Sequence, residues 1–320
     1  MKRGCLSEFV LTIDSSIAMI GDTVPFVQKI KGHDMPNFAI VDTHVHLWDP
    51  QYFRMSWLDN NTIINARFMG EEFTQHTRDV AVEAMVYVEV AVEPQYSLLE
   101  AQYINTVARQ LPKLKGIVAA APVEFGEQTR AYYSALTAIG PRIKGVRRLF
   151  QGESDANFAI RPNVVRGVEL LAEYGLSFDI CIFHHQLPAA IELVKKVPQV
   201  QFILDHVAKP DIKGHRLDPW RQQMTEMAKL PNVVCKISGM TTEADHAAWQ
   251  PEDLVPYMDH VIAVFGEDRV MFGGDWPVSL QSTNYTEWVT TVDALTASLS
   301  DKAKRKLWVD NARRVYRLGF

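Results

Sequence analysis

Two histidines one residue apart, His44 and His46, stand at the end of an apolar-rich run over residues 38–47. In an extended strand, side chains two apart point to the same face. The pair therefore presents two imidazoles side by side, with Asp42 one pleat below. Two neutral imidazoles converging on one point suit a metal ion, or a polarised carbonyl and its attacking water. A further carboxylate, Asp275, lies near the other end of the chain in Phe272-Gly273-Gly274-Asp275-Trp276-Pro277. The chemistry depends on a fold that brings these two segments together.

The elements that must do so alternate. Short β-rich runs occupy 38–47, 80–90, 114–123, 143–150, 176–183, 200–205, 233–237 and 270–273. Helical patterns fall between them at 95–111, 129–139, 164–174, 188–197, 220–230 and 251–265, and a terminal pair follows at 285–295 and 301–318. Pro188 and Pro251 suit a first helical turn, and Gly175 suits a helix stop. Several runs are apolar throughout, as parallel strands covered on both faces should be. Eight such units predict a single α/β domain, a (β/α)8 TIM barrel. A doubly wound open sheet is the competitor, but Thr43-His44-Val45-His46 stands where its glycine-rich phosphate loop would be.

The barrel domain is expected over 37–320. Residues 1–36 lack a helical or alternating pattern and read as an N-terminal extension. The expectation is that Met35 is the natural start; an intact native mass that includes Met1 overturns it. The 320 residues, 47% hydrophobic and 22% charged, suffice for a large core. With a net charge of -5 and no long lysine or arginine block, a nucleic-acid surface is not expected. No apolar run approaches the roughly 18–20 residues of a membrane span. Cys5, Cys181 and Cys235 lack metal-site spacing and give no disulfide framework, so a reducing, cytoplasmic compartment is expected. The expected partner is a small molecule, with the oligomeric state open.

Polar residues collect at the C-terminal ends of the expected strands, where barrel enzymes place their reactive groups. They are His44 and His46, then Glu89, Arg147 with Arg148, His184-His185-Gln186, Asp205-His206, Lys209, Lys236 and Asp275-Trp276. Strand alternation lets only one of Arg147 and Arg148 face inward, and Arg147 is favoured. Likewise at most one of His184 and His185 belongs to the site; parity does not decide which, and His185 is carried as the candidate. Trp48 and Trp57 read as packing, whereas Trp276 could wall a pocket.

These residues resemble the amidohydrolase superfamily: a His-x-His on strand 1, a histidine after strand 6 and an aspartate after strand 8. Gly145-Val146-Arg147-Arg148, Asp205-His206-Val207-Ala208-Lys209-Pro210 and Lys236-Ile237-Ser238-Gly239 sharpen the likeness. Together with the first and last motifs, they look like the lactonase branch, which includes sugar lactonases and 2-pyrone-4,6-dicarboxylate lactonase. The likeness covers roughly residues 37–318. It implies a hydrolase that opens a lactone ring, most readily a sugar aldonolactone in carbohydrate catabolism. Asp275 would be the general base, His206 its partner and Arg147 the carbonyl-polarising group. His44, His46, Glu89, His185, Gln186, Lys236 and Trp276 would bind substrate. A guanidinium on strand 4 is a poor metal ligand, which argues against a metal pair. The resemblance implies that no metal is required, or that a single divalent ion such as zinc sits on His44, His46 and Asp275. The alternatives are a pyrone-dicarboxylate lactonase, a metal-dependent decarboxylase or hydratase of the same superfamily, and a catalytically silent binding barrel.

Overall fold

The computed structural model describes residues 36–319. The extension and the expected start at Met35 lie outside the described residues. Eight strands form one all-parallel sheet in sequential order: β1 Ile40–Val45, β2 Val82–Val88, β3 Leu114–Ala120, β4 Ile143–Leu149, β5 Ser177–Cys181, β6 Phe202–Leu204, β7 Val233–Ile237 and β8 Val270–Phe272. Each strand pairs with the next. A parallel bridge between Val45 and Trp276 joins the last strand's extension to the first. The expected barrel is the observed fold.

The sequence explains this arrangement. β1, β5 and β7 are buried along their whole lengths, as strands with helices outside and side chains inside must be. The flanking helices bury one stripe each. In Leu187–Lys196, Pro188 lies in the first turn and Leu187, Ala190, Ile191 and Val194 are among its buried residues. Gly175 adopts a left-handed conformation at φ 63°, ending the preceding helical segment where a side chain would be strained.

Two segments differ from the expectation. The terminal helix expected over 301–318 is Asp301–Arg305, a π-helical turn at Lys306–Asp310, and Asn311–Val315. The wider turn lets three successive residues, Leu307, Trp308 and Val309, all be buried. The Trp308 ring packs 4.4 Å from that of Phe272 on β8. A helix at Gly70–His76, within the β1–β2 connection, had no periodic signal in so few residues. Its Phe73 packs 5.3 Å from Trp276 and 5.8 Å from Tyr285, so tertiary contact rather than propensity forms it. No helix among the described residues is long and apolar enough to cross a membrane.

Candidate active site

The ends of the chain meet. The Asp275 amide donates to the His44 carbonyl at 2.8 Å, and the His46 amide donates to the Trp276 carbonyl at 2.8 Å. Asp42 fastens this seam from below. Its Oδ1 accepts the amides of His44 (2.9 Å) and Gly274 (2.8 Å), and its Oδ2 accepts the Tyr285 hydroxyl at 2.9 Å. Gly274 is required because a Cβ there would run into the Asp42 carboxylate. Burial raises the Asp42 carboxyl to about 6.

Three imidazoles then surround one carboxylate oxygen. Asp275 Oδ1 lies 3.5 Å from His46 Nε2, 3.7 Å from His44 Nε2 and 3.9 Å from His206 Nε2. His46 Nδ1 is 2.8 Å from the Val88 carbonyl, an acceptor only, so Nδ1 carries a proton and Nε2 faces inward. His206 Nδ1 is 2.9 Å from Ser238 Oγ. Burial holds His44 and His206 well below the usual histidine range, so both are neutral at pH 7. Burial alone would raise the Asp275 carboxyl. His206, His46 and Lys209 around it hold it below the usual carboxylate range instead.

His44, His46 and Asp275 form a buried set of ligand atoms all within 4.8 Å of one another. Ligand-to-ligand edges in a tetrahedral zinc site are about 3.3–3.5 Å, so the 3.5 and 3.7 Å separations fit one ion. The Nδ1 contact that fixes the His46 tautomer is what metal sites use to orient an imidazole. Arg147 opposes a second ion. Its Nη1 is 3.3 Å from His44 Nε2, and its cation cannot be lost.

Arg147 is buried and locked. Its Nε donates to Glu89 Oε1 at 2.6 Å, and its Nη2 donates to the Glu89 carbonyl at 2.6 Å. Arg148 faces the other way, toward Glu124 and Glu153. Beneath His44 lies a second buried layer. Lys236 Nζ is 2.7 Å from Asp179 Oδ2, 2.9 Å from Asp205 Oδ1 and 3.3 Å from His44 Nδ1. Tyr316 donates to the same Asp179 oxygen at 2.7 Å.

Above these groups opens a cavity of about 240 Å³. His46, Arg147, His206 and Asp275 line it, so the expected catalytic trio and one histidine of the pair share one chamber. His44 is fully buried behind them. The other expected substrate contacts lie elsewhere. Glu89 is spent on Arg147, and Lys236 sits in the layer below the cavity. Gln186 caps its own helix: Oε1 accepts the Phe183 amide and Nε2 donates to the Phe150 carbonyl. His185 is exposed and lies parallel to the Phe183 ring, while His184 Nδ1 is 3.0 Å from the Lys209 carbonyl. Trp276 is fully buried against Phe68, Phe73 and His76 rather than walling the cavity.

The wall is built instead by Trp48, Trp57, Val90, Leu149 and Val278, with Gln151, Cys181 and Lys209 adding polar atoms. Trp57 comes from the β1–β2 connection, stands edge-on to Trp48 at 5.4 Å and donates to the Val90 carbonyl. Glu100 supports this side from behind: Oε1 accepts the Tyr87 hydroxyl at 2.6 Å and the Val90 amide at 2.8 Å. Burial raises its carboxyl to about 8. The sequence signal for Glu100 is an acid on the inward stripe of the helix Ser97–Val107, beside the buried Ala101 and Ile104.

Known proteins share this architecture. The sequence profile of the amidohydrolase family matches residues 41–318. An L-fucono-1,5-lactonase from Burkholderia multivorans is 28% identical over 87% of this chain and 96% of its own length. An L-rhamnono-gamma-lactonase from Scheffersomyces stipitis is 23% identical over 89% of this chain and its entire length. Two crystal structures of an amidohydrolase from Burkholderia multivorans, one with bound HEPES and one with bound zinc, superpose with TM-scores of 0.79. Each is 26% identical and covers 88% of this chain and all of that one. The profile match spans nearly the whole described barrel and includes all the residues that converge on Asp275, and on that ground the chain belongs to the amidohydrolase family.

Proposed function

We propose that this protein is a lactonase that adds water to the acyl carbon of a neutral sugar lactone, an aldonolactone. The observation that carries the reading is the buried Asp275 carboxylate, ringed by imidazoles on the floor of a cavity that also exposes a fixed guanidinium. A cyclic ester needs a nucleophilic water, a base for its proton and stabilisation of the tetrahedral oxyanion. Asp275 takes the proton from the water. His206, neutral and steadied by Ser238, orients that water. Arg147, held rigid by Glu89, faces the carbonyl oxygen and meets the charge that develops there without having to move. The Asp275 carboxyl then returns its proton to the departing ring oxygen. An ion held by His44, His46 and Asp275 would polarise the carbonyl or acidify the water when bound.

The size and lining support a small neutral ring. The volume of about 240 Å³ lies below that of drug-sized sites. A pyrone dicarboxylate calls for several arginines, but among the described residues Arg147 is the one arginine that lines the cavity. Arg54 is exposed and paired with Asp59. The names of the fucono- and rhamnono-lactonase relatives support the same substrate class. The test is acid release from a panel of aldonolactones by protein stripped with chelator and checked for residual metal. Turnover by the stripped protein supports Asp275 and Arg147 as sufficient. Turnover only after zinc is restored keeps the lactonase and gives the electrophile's role to the ion. Silence in both states on every lactone refutes the proposal.

A further inference from the structure

The connection after β6 carries an unusual backbone. His206, Val207, Ala208 and Lys209 have φ of 54°, 48°, 60° and 47°, four consecutive non-glycine residues in the left-handed region. For L-residues this region is disfavoured, and for a β-branched valine it is a true outlier. Such strain persists only where its surroundings enforce it, and it concentrates at functional sites. Here the enforcing contacts are visible. The Trp220 indole donates to the Val207 carbonyl at 2.8 Å, and the Lys209 amide donates to the His206 carbonyl at 2.8 Å. A Cβ on Gly239 would strike the His206 ring, so Gly239 gives the turn its room.

The turn delivers two side chains into one chamber: His206 from its first residue and Lys209 from its last. The presence of His206 is explained by Asp275; that of Lys209 is not. Its ammonium is largely buried and hydrogen-bonded to Glu243 at 2.8 Å, with the Phe183 ring 5.8 Å away. An ammonium has three donors, and Glu243 takes one. Glu243 itself does not line the cavity. Among the described residues that line the cavity, Arg147 and Lys209 are cations and Asp275 is the one carboxylate. Glu89 and Glu243 pair these cations from outside the lining, so the chamber gains no net positive charge, but the Lys209 ammonium keeps donor capacity at its wall that a neutral lactone does not use.

Its product does. Hydrolysis breaks the acyl–oxygen bond of the ring, adds the water oxygen to the acyl carbon and returns one proton to the ring oxygen. The new carboxylic acid then ionises and releases the other proton, leaving a hydroxy-carboxylate. We propose that Lys209, with Arg147, forms a carboxylate-binding subsite for the ring-opened hydroxy acid, and that through it the product inhibits the enzyme. The product-inhibition part rests on the lactonase reading; the carboxylate subsite stands on geometry and charge alone.

Calorimetry separates the two. Gluconate and the ring-opened acids of the lactone panel are titrated into the full chain, with sorbitol as the neutral control. Wild-type protein is expected to bind at least one acid more tightly than sorbitol. Lys209→Met should weaken that binding by on the order of tenfold or more, and Lys209→Arg should restore most of it. Circular dichroism and melting confirm that both variants are folded; if Lys209→Met does not fold, Glu243→Ala, which frees the ammonium, must change acid affinity but not sorbitol affinity. In turnover assays, the ratio of product Ki to lactone KM should rise about fivefold or more in Lys209→Met. Acid binding no tighter than sorbitol, unchanged acid affinity in Lys209→Met, or Ki and KM rising in parallel overturns the subsite. Lys209-dependent acid binding by a protein that opens no lactone keeps the subsite and removes the lactonase.

Discussion

Asp42 offers a measurement in which stability and site geometry separate. Its carboxylate is fully buried, accepts two amides and a hydroxyl, and titrates at about 6 against an ordinary 3.8 because burial penalises the charge. The native state therefore holds this proton more tightly than the unfolded chain. Its contribution is fully present below the unfolded pKa and is lost as pH rises through the folded one. A shift from 3.8 to about 6 amounts to about 3 kcal/mol, of which about 2 kcal/mol is lost between pH 4.5 and 7.5. Asp42→Asn removes the titration and keeps the clamp: its carbonyl oxygen still accepts the His44 and Gly274 amides, and the Tyr285 hydroxyl reverses to accept from the new amide. Urea denaturation of both proteins at four pH values across that window is the assay. The stability difference should move by about 2 kcal/mol in favour of Asp42→Asn as pH rises, with kcat retained. Asp42→Ala should instead cost about 3–6 kcal/mol, because two amides and a hydroxyl lose their buried partner. Parallel pH curves for wild type and Asp42→Asn would refute the reasoning.

Other perturbations probe the chemistry directly. Asp275→Asn should lower kcat by about 10²–10⁴ while the melting temperature barely moves; a folded variant within about tenfold of wild type removes Asp275 as the base. Because its neighbours hold the Asp275 carboxyl below the usual range, kcat/KM should not fall between pH 7 and 5, and an acid limb near pH 6 would contradict that. Lys236→Met leaves Asp179 and Asp205 buried without their cation and should cost about 3–5 kcal/mol by denaturant titration. Adding Asp179→Asn should recover part of that loss; no recovery speaks against the shared charge. Trp57→Ala should raise the lactone KM about threefold to tenfold with kcat preserved, and an unchanged KM would take Trp57 out of the binding wall.

The barrel was legible because eight apolar runs alternate with amphipathic segments, and each of those features reflects burial that the sequence must encode. The site was partly legible for the same reason. Strand parity places His44 with His46 and separates Arg147 from Arg148, since successive side chains leave a strand on opposite faces. Parity says nothing about depth. Lys236 faces the barrel axis as expected but lies one layer too low to touch a ligand, where its task is to neutralise Asp179 and Asp205. Glu89 reaches the correct end of its strand and is then consumed by Arg147. Gln186 sits three residues after Phe183, whose amide it accepts, so a local capping arrangement claims it before any ligand can. Trp57 and Trp276 exchange roles because the β1–β2 connection folds over the barrel mouth, and nothing periodic in that connection reveals the path. The left-handed turn at His206–Lys209 was equally hidden: no glycine announces it, and the contacts enforcing it come from Trp220, Ser238 and Gly239, all distant in sequence.

His44 is where the charge-based and ion-based versions of the site meet. Its two ring nitrogens face two permanent donors, Lys236 Nζ at Nδ1 and Arg147 Nη1 at Nε2, each at 3.3 Å. A neutral imidazole carries one N–H and one lone pair, so it can accept from only one of them. With the proton on Nε2, Lys236 is satisfied, the N–H points toward Asp275 at 3.7 Å, and Arg147 faces a proton. With the proton on Nδ1, the N–H points to Asp205 Oδ1 at 3.4 Å, and the Nε2 lone pair turns to the chamber floor. Only the second tautomer can ligate an ion. An ion therefore has to compete with the Lys236 hydrogen bond below the ring and with the guanidinium beside it. Lys236 and Arg147 thus weigh against ion binding from opposite sides of one histidine, while the spacing of His46 and Asp275 invites it. That balance, set by residues with no ligating role of their own, decides whether Asp275 works beside a metal or alone.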